Sequence, residues 1–311
     1  MNKRFKIGVI GCGGMGARHV DTIKSHKGFE FVAGCDINND ILKSLPDNVA
    51  TYSDAAELFR NHELDIVSLI LPNYLYEPMV KLAASHGINV FCEKPLGKDL
   101  DSCQTIVQTL KKANLQGWVS GQRKYISHFL RAKSVIEKIK PAFSYGIFTY
   151  YWRPAFNNIQ WRGDRAKSGG IAVIDSGWHA LDLLHWFIGA PENVSAELTY
   201  LEKYADIDDK AVIQLSYPGN AMANLLISYT LPPGRFEFTF ANGQKSLYID
   251  LEKYQYYEDG LLVEEVKQAA DDDPFEKMYD ELYKGLCGET SYLTDVSQAE
   301  QIMTVVDACY R

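Results

Sequence analysis

The sequence predicts an α/β fold: a doubly wound parallel sheet followed by an α+β domain built on a large, mostly antiparallel open sheet. Two observations predict the first part. An apolar strand ending in Gly8-Val9-Ile10 runs straight into Gly11, Gly13 and Gly16, and the next apolar run, FVAGCD, closes on Asp36. Apolar strands then alternate with amphipathic helices through the first third of the chain, a pattern that needs a parallel sheet covered on both faces. A third observation predicts the second part. Beyond residue 190 strand follows strand, separated by turn signals such as Pro218-Gly219-Asn220 and Asn242-Gly243, as in antiparallel hairpins.

Taken in order, the predicted strands of the first part are Phe5–Ile10, Phe29–Cys35, a weak one near Val49–Thr51, Asp65–Leu71, Asn89–Cys92 and Gln116–Ser120. Helices are predicted near Met15–Ser25, Ser53–Asn61, Tyr74–His86 and Asp99–Ala113, with Ser53 and Asp99 as N-caps. The second part begins with a helix near Ser127–Lys138, a strand over Ala142–Trp152 and a helix around Gly170–Ile188. Strands follow at Val194–Lys203, Lys210–Tyr217, Met222–Tyr229, Arg235–Phe240 and Lys245–Leu251, then helices over Asp273–Leu286 and Asp295–Tyr310. Phe236, Phe238 and Phe240 alternate with Glu237 and Thr239, the period of a half-buried strand. The expected domains are residues 1–122 and 123–311.

A chain of 311 residues holds about two domains. The net charge of −8 argues against a nucleic-acid or anionic-membrane surface. No signal peptide and no apolar run of membrane length is visible. The six cysteines are scattered without a C-x-x-C pair, which points to a reducing cytoplasm and away from a zinc site. Cys12, Cys35 and Cys92 read as small packing residues, and no metal is expected.

The glycine turn is the dinucleotide-binding fingerprint of a Rossmann domain: strand, glycine turn, helix, strand, acid. Gly11 permits the tight turn, Gly13 lets a pyrophosphate approach the backbone, and Gly16 lets the helix pack close to the strand. The helix N-terminus offers N–H groups and partial positive charge to phosphates. Asp36 stands where a carboxylate accepts from an adenosine ribose, and it repels a 2′-phosphate. NAD is therefore favoured over NADP, although Lys43 could swing toward such a phosphate. The expected cofactor contacts are Gly11, Cys12, Gly13, Gly14, Met15, Gly16, Asp36, Ile37, Pro72, Asn73, Glu93 and Lys94.

Two further motifs carry chemistry. Glu93-Lys94-Pro95 follows the fifth strand, at the edge where a bound nicotinamide is expected. A lysine there can stabilise developing oxyanion charge, and Pro95 either keeps Lys94 extended or sits in a cis bond. In SGGIAVIDSGWHALDLLHWF, helical spacing puts Asp175, His179 and Asp182 on one face. An Asp beside a His fixes its tautomer and raises its pKa, which suits a general base. His185 reads as a packing residue.

With these motifs and Leu71-Pro72-Asn73, the chain resembles the Gfo/Idh/MocA oxidoreductases over nearly its whole length. The resemblance implies reversible oxidation of a sugar, polyol or cyclitol hydroxyl by NAD(P). It implies Lys94 as the residue on the reacting hydroxyl, His179 as acid/base and Asp175 as its companion. It also implies a homodimer or homotetramer through the open face of the C-terminal sheet. The family commonly has a His where this chain has Tyr76, which bears on nicotinamide-side contacts. The expected substrate contacts are Lys94, Trp152, Arg153, Trp161, Arg162, Asp175 and His179, drawn from a cluster that includes Tyr150 and Tyr151. Aromatic faces suit sugar C–H faces, and Arg suits hydroxyls or carboxylates. Alternate residues of that strand are expected to pack in the core. Two alternatives stay open: an NAD-dependent glycosidase of the same family, and a non-catalytic NAD- or sugar-binding regulator.

Overall fold

The computed structural model describes residues 3–151 and 159–311. These form two compact units, Met1–Gly121 with Phe275–Glu300, and Gln122–Pro274 with Gln301–Arg311.

The first unit runs β1 (Phe5–Ile10), α1 (Met15–Ser25), β2 (Phe29–Cys35), the short α2 (Asn39–Leu42), β3 (Ala50–Tyr52), α3 (Ala55–Asn61), β4 (Ile66–Leu69), α4 (Tyr76–Ser85), β5 (Asn89–Cys92), α5 (Leu100–Lys112) and β6 (Gly117–Val119). The sheet order β3-β2-β1-β4-β5-β6 is that of dinucleotide-binding sheets, with its switch point between β1 and β4. Strands β1, β4 and β5 are almost wholly buried because helices cover both faces, which is why they read as continuous apolar runs. Asp99 caps α5 as expected, in a reciprocal capping box with Ser102. The cap of α3 is Asp54 instead of Ser53: the Asp54 carboxylate accepts from Ala56 N–H, one residue later than the sequence suggested.

The second unit contains α6 (Ser127–Ile139), β7 (Phe143–Tyr151), α7 (Arg165–Ser168), α8 (Gly177–Ile188), β8 (Asn193–Leu201), β9 (Tyr204–Tyr217), β10 (Ala221–Ser228), β11 (Thr230–Asn242), β12 (Lys245–Asp250), β13 (Lys253–Glu258) and β14 (Leu261–Lys267). Its sheet order is β14-β13-β12-β11-β7-β10-β9-β8. All neighbours are antiparallel except β7 and β10, which α8 and the hairpin β8–β9 separate in the chain. Phe236, Phe238 and Phe240 point to the helix-covered face and are buried. Each such ring contributes about 1.5–3 kcal/mol. The opposite face keeps Phe143, Tyr145, Val212 and Met222 exposed.

The sequence reading assigned everything after residue 122 to the second domain. Instead α9 (Pro274–Leu286), β15 (Thr294–Asp295) and the start of α10 (Val296–Cys309) cluster with the first unit. Met278, Tyr279 and Leu282 of α9 are fully buried, Tyr279 packs edge-on against Phe29 and Phe91, and β15 pairs antiparallel with β6. An amphipathic helix seen in sequence does not say which sheet takes its apolar face.

Tyr150 and Tyr151 depart from the expected alternation, since both are about half exposed. The β7–β10 ladder stops at Thr149–Ser228, and β11 slips register between Thr230 and Arg235. Pairing on the β10 side ends before these residues while Tyr151 still pairs with Thr230 on the β11 side, and Tyr150 packs edge-on against Tyr229, so both rings are only partly covered.

Candidate active site

In the first unit the glycine turn follows β1. A Cβ on Gly11 would lie 2.1 Å from the Ile70 carbonyl oxygen, and one on Gly16 would lie 1.8 Å from that of Gly11. The fold itself therefore demands both glycines. Gly13 is different: a Cβ there would meet nothing closer than 3.4 Å, and at Gly14, with φ +52°, nothing within 4 Å. A Cβ on Gly13 would only touch Ile41 at ordinary contact distance, so the fold itself does not demand this glycine, and Gly14 caps α1 without any side-chain oxygen on the helix N–H groups. These residues fit a dinucleotide pyrophosphate.

Asp36 has a role beyond the one expected. Its Oδ2 accepts from Cys12 N–H at 2.9 Å and Gly13 N–H at 3.2 Å, and its Oδ1 accepts from Asn38 N–H at 2.9 Å. The carboxylate thus shapes the turn, while a lone pair on Oδ1 stays open for a ribose hydroxyl. Ile37 beside it is 94 % exposed. Lys43 is occupied by Asp40 at 2.8 Å, an exposed pair. Burial and the Asp36 charge push the Cys12 thiol up to about 12 and the Cys35 thiol to about 11. Both remain protonated packing groups.

Pro72 and buried Asn73 follow β4 at the switch point, and Tyr76 is buried in the first turn of α4. Glu93-Lys94 follows β5, and the Lys94–Pro95 bond is cis. Glu93 was expected among the cofactor contacts, but its carboxylate is engaged inside the unit. Oε1 meets His19 Nε2 at 2.9 Å, and Oε2 accepts the Lys94 N–H at 3.1 Å. Burial pushes the Glu93 pKa up. Hydrogen bonds from His19 and Ser120 and the charges of His19 and Lys94 outweigh it, and the carboxyl sits below its ordinary value. His19, fully buried on α1, also meets the Tyr279 hydroxyl at 2.8 Å. It went unnoticed in the sequence, although its place on the same helix face as Val20 and Ile23 marks it as a buried polar group.

In the second unit the predicted helix from Gly170 does not form as such. Residues Ala172–Ser176 make one wide turn, with the N–H groups of both Asp175 and Ser176 donating to the Ile171 carbonyl, and α8 starts only at Gly177. Asp208 is the cause. Its carboxylate accepts from Ile171 N–H and Val173 N–H, each at 2.8 Å, and from the Tyr310 hydroxyl at 3.1 Å. Burial raises the Asp208 pKa against these hydrogen bonds. Gly170, at φ +127°, is required because a Cβ would lie 2.2 Å from the Tyr310 oxygen. Such wide turns recur at functional sites.

Asp175 thus lies in the wide turn and His179 in the first turn of α8. Asp175 Oδ2 accepts from the Tyr229 hydroxyl at 2.9 Å and from Arg162 Nε at 3.3 Å. Burial and then the Asp175 charge raise the Tyr229 phenol well above its ordinary value. The His179 ring stacks on Phe148 at 6.2 Å and 21°. Asp182 belongs to a buried ion pair with Lys124 at 2.7 Å. Trp161 lies under the Arg162 guanidinium at 4.5 Å. Trp152 and Arg153 lie outside the described residues. Among the described residues no His, Cys, Asp and Glu cluster could hold a metal, and no helix is long and apolar enough to cross a membrane.

Residues 5–120 match the model of the Gfo/Idh/MocA oxidoreductase family with an NAD-binding Rossmann fold. Residues 140–248 match that of the family's C-terminal domain. The chain belongs to this NAD-binding oxidoreductase family. It is 26 % identical over 239 residues to D-apiose dehydrogenase of Rhizobium rhizogenes, covering 75 % of this chain and 68 % of that one. It is 28 % identical over 231 residues to 2,7-anhydro-N-acetylneuraminate hydratase of Mediterraneibacter gnavus, covering 70 % of this chain but only 59 % of that one. The crystal structure of aldose-aldose oxidoreductase from Caulobacter crescentus, complexed with glycerol, superposes with a TM-score of 0.87 at 20 % identity, over 99 % of this chain and 97 % of that one.

Proposed function

We propose that this protein is an NAD-dependent dehydrogenase acting on a hydroxyl of a sugar, polyol or cyclitol. The observation that carries the reading is the glycine turn itself: Gly14 leaves open space at the N-terminus of α1, Gly13 is not required by the packing of the turn, and Asp36 holds the turn's N–H groups. Gly11 to Gly16, Asp36, Ile37, Pro72 and Asn73 would hold the dinucleotide. NAD, when bound, supplies the hydride acceptor for alcohol oxidation. His179 takes the hydroxyl proton in its neutral form. Lys94 donates to the substrate oxygen and stabilises charge as it develops there. Asp175, fixed by Tyr229 and Arg162, supplies negative charge beside the acid/base group. Glu93 acts on Lys94 through the backbone and belongs to the support of the site. The exposed apolar face of the second sheet is proposed as a homo-oligomer interface.

The test is a screen of NADH formation over sugars, polyols, inositols and sugar acids. On the best substrate, Lys94→Ala should lower kcat on the order of hundredfold while leaving NAD affinity within a few fold. His179→Ala should remove the rise of oxidation rate with pH. Near-normal kcat in Lys94→Ala, or a wild-type pH profile in His179→Ala, would sink these assignments. NAD that co-purifies and is never consumed would move the protein to the glycosidase reading.

A further inference from the structure

Arg123 lies in the short turn Gln122–Tyr125 that opens the second unit. Its guanidinium lies over two rings, 4.3 Å from the centre of Phe236 and 5.0 Å from that of Phe148. Phe148 is the ring on which His179 stacks. Loss of water around Arg123 lowers its pKa to about 10, against an opposing influence of Tyr229, the phenol that holds Asp175. Arg123 is thus charged at neutral pH and belongs to the surroundings of His179 and Asp175.

Its neighbours differ from it in one respect. Lys124 is paired with Asp182, Arg162 with Asp175, and Arg165 with Asp208. Among the described residues no carboxylate pairs with Arg123. The undescribed segments cannot provide one either, since residues 152–158 read WRPAFNN and residues 1–2 read MN. Ring faces attract a guanidinium by about 0.5–2 kcal/mol, but they accept none of its five N–H donors in the manner of an anion. The two rings take part of the guanidinium out of water without supplying an acceptor. The residue is only half-buried, so a ligand can reach it.

We propose that Arg123 receives a carboxylate of the substrate, which makes the substrate class a polyhydroxylated acid and not a neutral sugar or polyol. This deepens the dehydrogenase reading of the same site and rests on it. The planar fork of Arg matches a carboxylate with two parallel hydrogen bonds. Lys124 and Arg162 have their charges answered by Asp182 and Asp175, so Arg123 brings one unanswered positive charge that a carboxylate neutralises, and the phosphate arm of the experiment tests the other anion.

The experiment compares matched probes: D-gluconate with D-sorbitol, D-glucuronate with D-glucose, and D-glucose 6-phosphate as the phosphate arm. Binding is read by calorimetry on enzyme saturated with NADH, and turnover by NADH formation from NAD. In at least one pair the acid should bind about tenfold or more tightly than its neutral partner. Arg123→Met should reduce that ratio by on the order of tenfold to hundredfold, with Arg123→Lys recovering part of it. Neutral members binding as well as the acids, the phosphate binding best, or a ratio unchanged in Arg123→Met would overturn the proposal. The wild-type ratio decides by itself should a variant fail to melt cooperatively. Turnover of neutral probes without acid preference would refute the carboxylate anchor and leave the dehydrogenase reading intact. Arg123-dependent acid binding without NADH formation would do the reverse.

Discussion

Glu93→Gln tests the support behind Lys94 without changing side-chain shape. In the wild type the Glu93 carboxylate meets His19 on one oxygen and the Lys94 N–H on the other, with Ser120 also donating to it. The amide can keep the contact with His19. Its NH2 then faces the Lys94 N–H and the Ser120 hydroxyl, and the serine can rotate away while the backbone N–H cannot. One buried donor against another costs about 1–3 kcal/mol. Taking about 2 kcal/mol, the melting temperature at pH 7 should fall by roughly 4–8 °C for a domain of this size. The pH dependence provides a second check. The Glu93 pKa is depressed in the folded state, so its contribution is present above the unfolded value of about 4.5 and is lost as pH falls through the folded value. The gap between wild type and variant should therefore be widest near neutrality and begin to close below about pH 4.5. His19→Gln keeps a donor toward Glu93 and should lose less stability than His19→Leu. Combining His19→Leu with Glu93→Gln should be less than additive, because both break one network. The assay is thermal unfolding by circular dichroism from pH 3.5 to 7.5, with kcat and NAD affinity at pH 7. A Glu93→Gln melting temperature within a degree of wild type, or a gap that is flat with pH, would refute the reasoning.

Two further outcomes are expected. Calorimetry should show NAD binding more tightly than NADP. Asp36→Ala should narrow that preference and weaken both cofactors, because Cys12 and Gly13 lose their acceptor; equal affinity for the two in the wild type would remove the electrostatic argument. Light scattering at micromolar concentration should give a dimer or tetramer that Val212→Asp with Met222→Lys dissociates, since both residues stand exposed on the open sheet face; a 35 kDa species in the wild type would refute the interface.

The sequence by itself determined the alternation of strands and helices and the glycine turn, and it marked Lys94, Asp175 and His179 as candidates. These are local signals: hydrophobic period, turn chemistry and short spacings act within a few residues of chain. Tertiary structure decided what depends on partners distant in sequence. Asp208 reaches back to the N–H groups of Ile171 and Val173, and the predicted helix start is a wide turn. Helix α9 carries an apolar stripe in any context, but only packing against Phe29 and Phe91 assigns it to the first unit. The motif marks Glu93, and only the tertiary structure shows that His19, Ser120 and the Lys94 backbone N–H meet its carboxylate. The charge of Arg123 is plain in the sequence. That no acid answers it became visible only when the neighbouring cations were seen with theirs, because ion pairing is settled by distance in space and not by spacing along the chain.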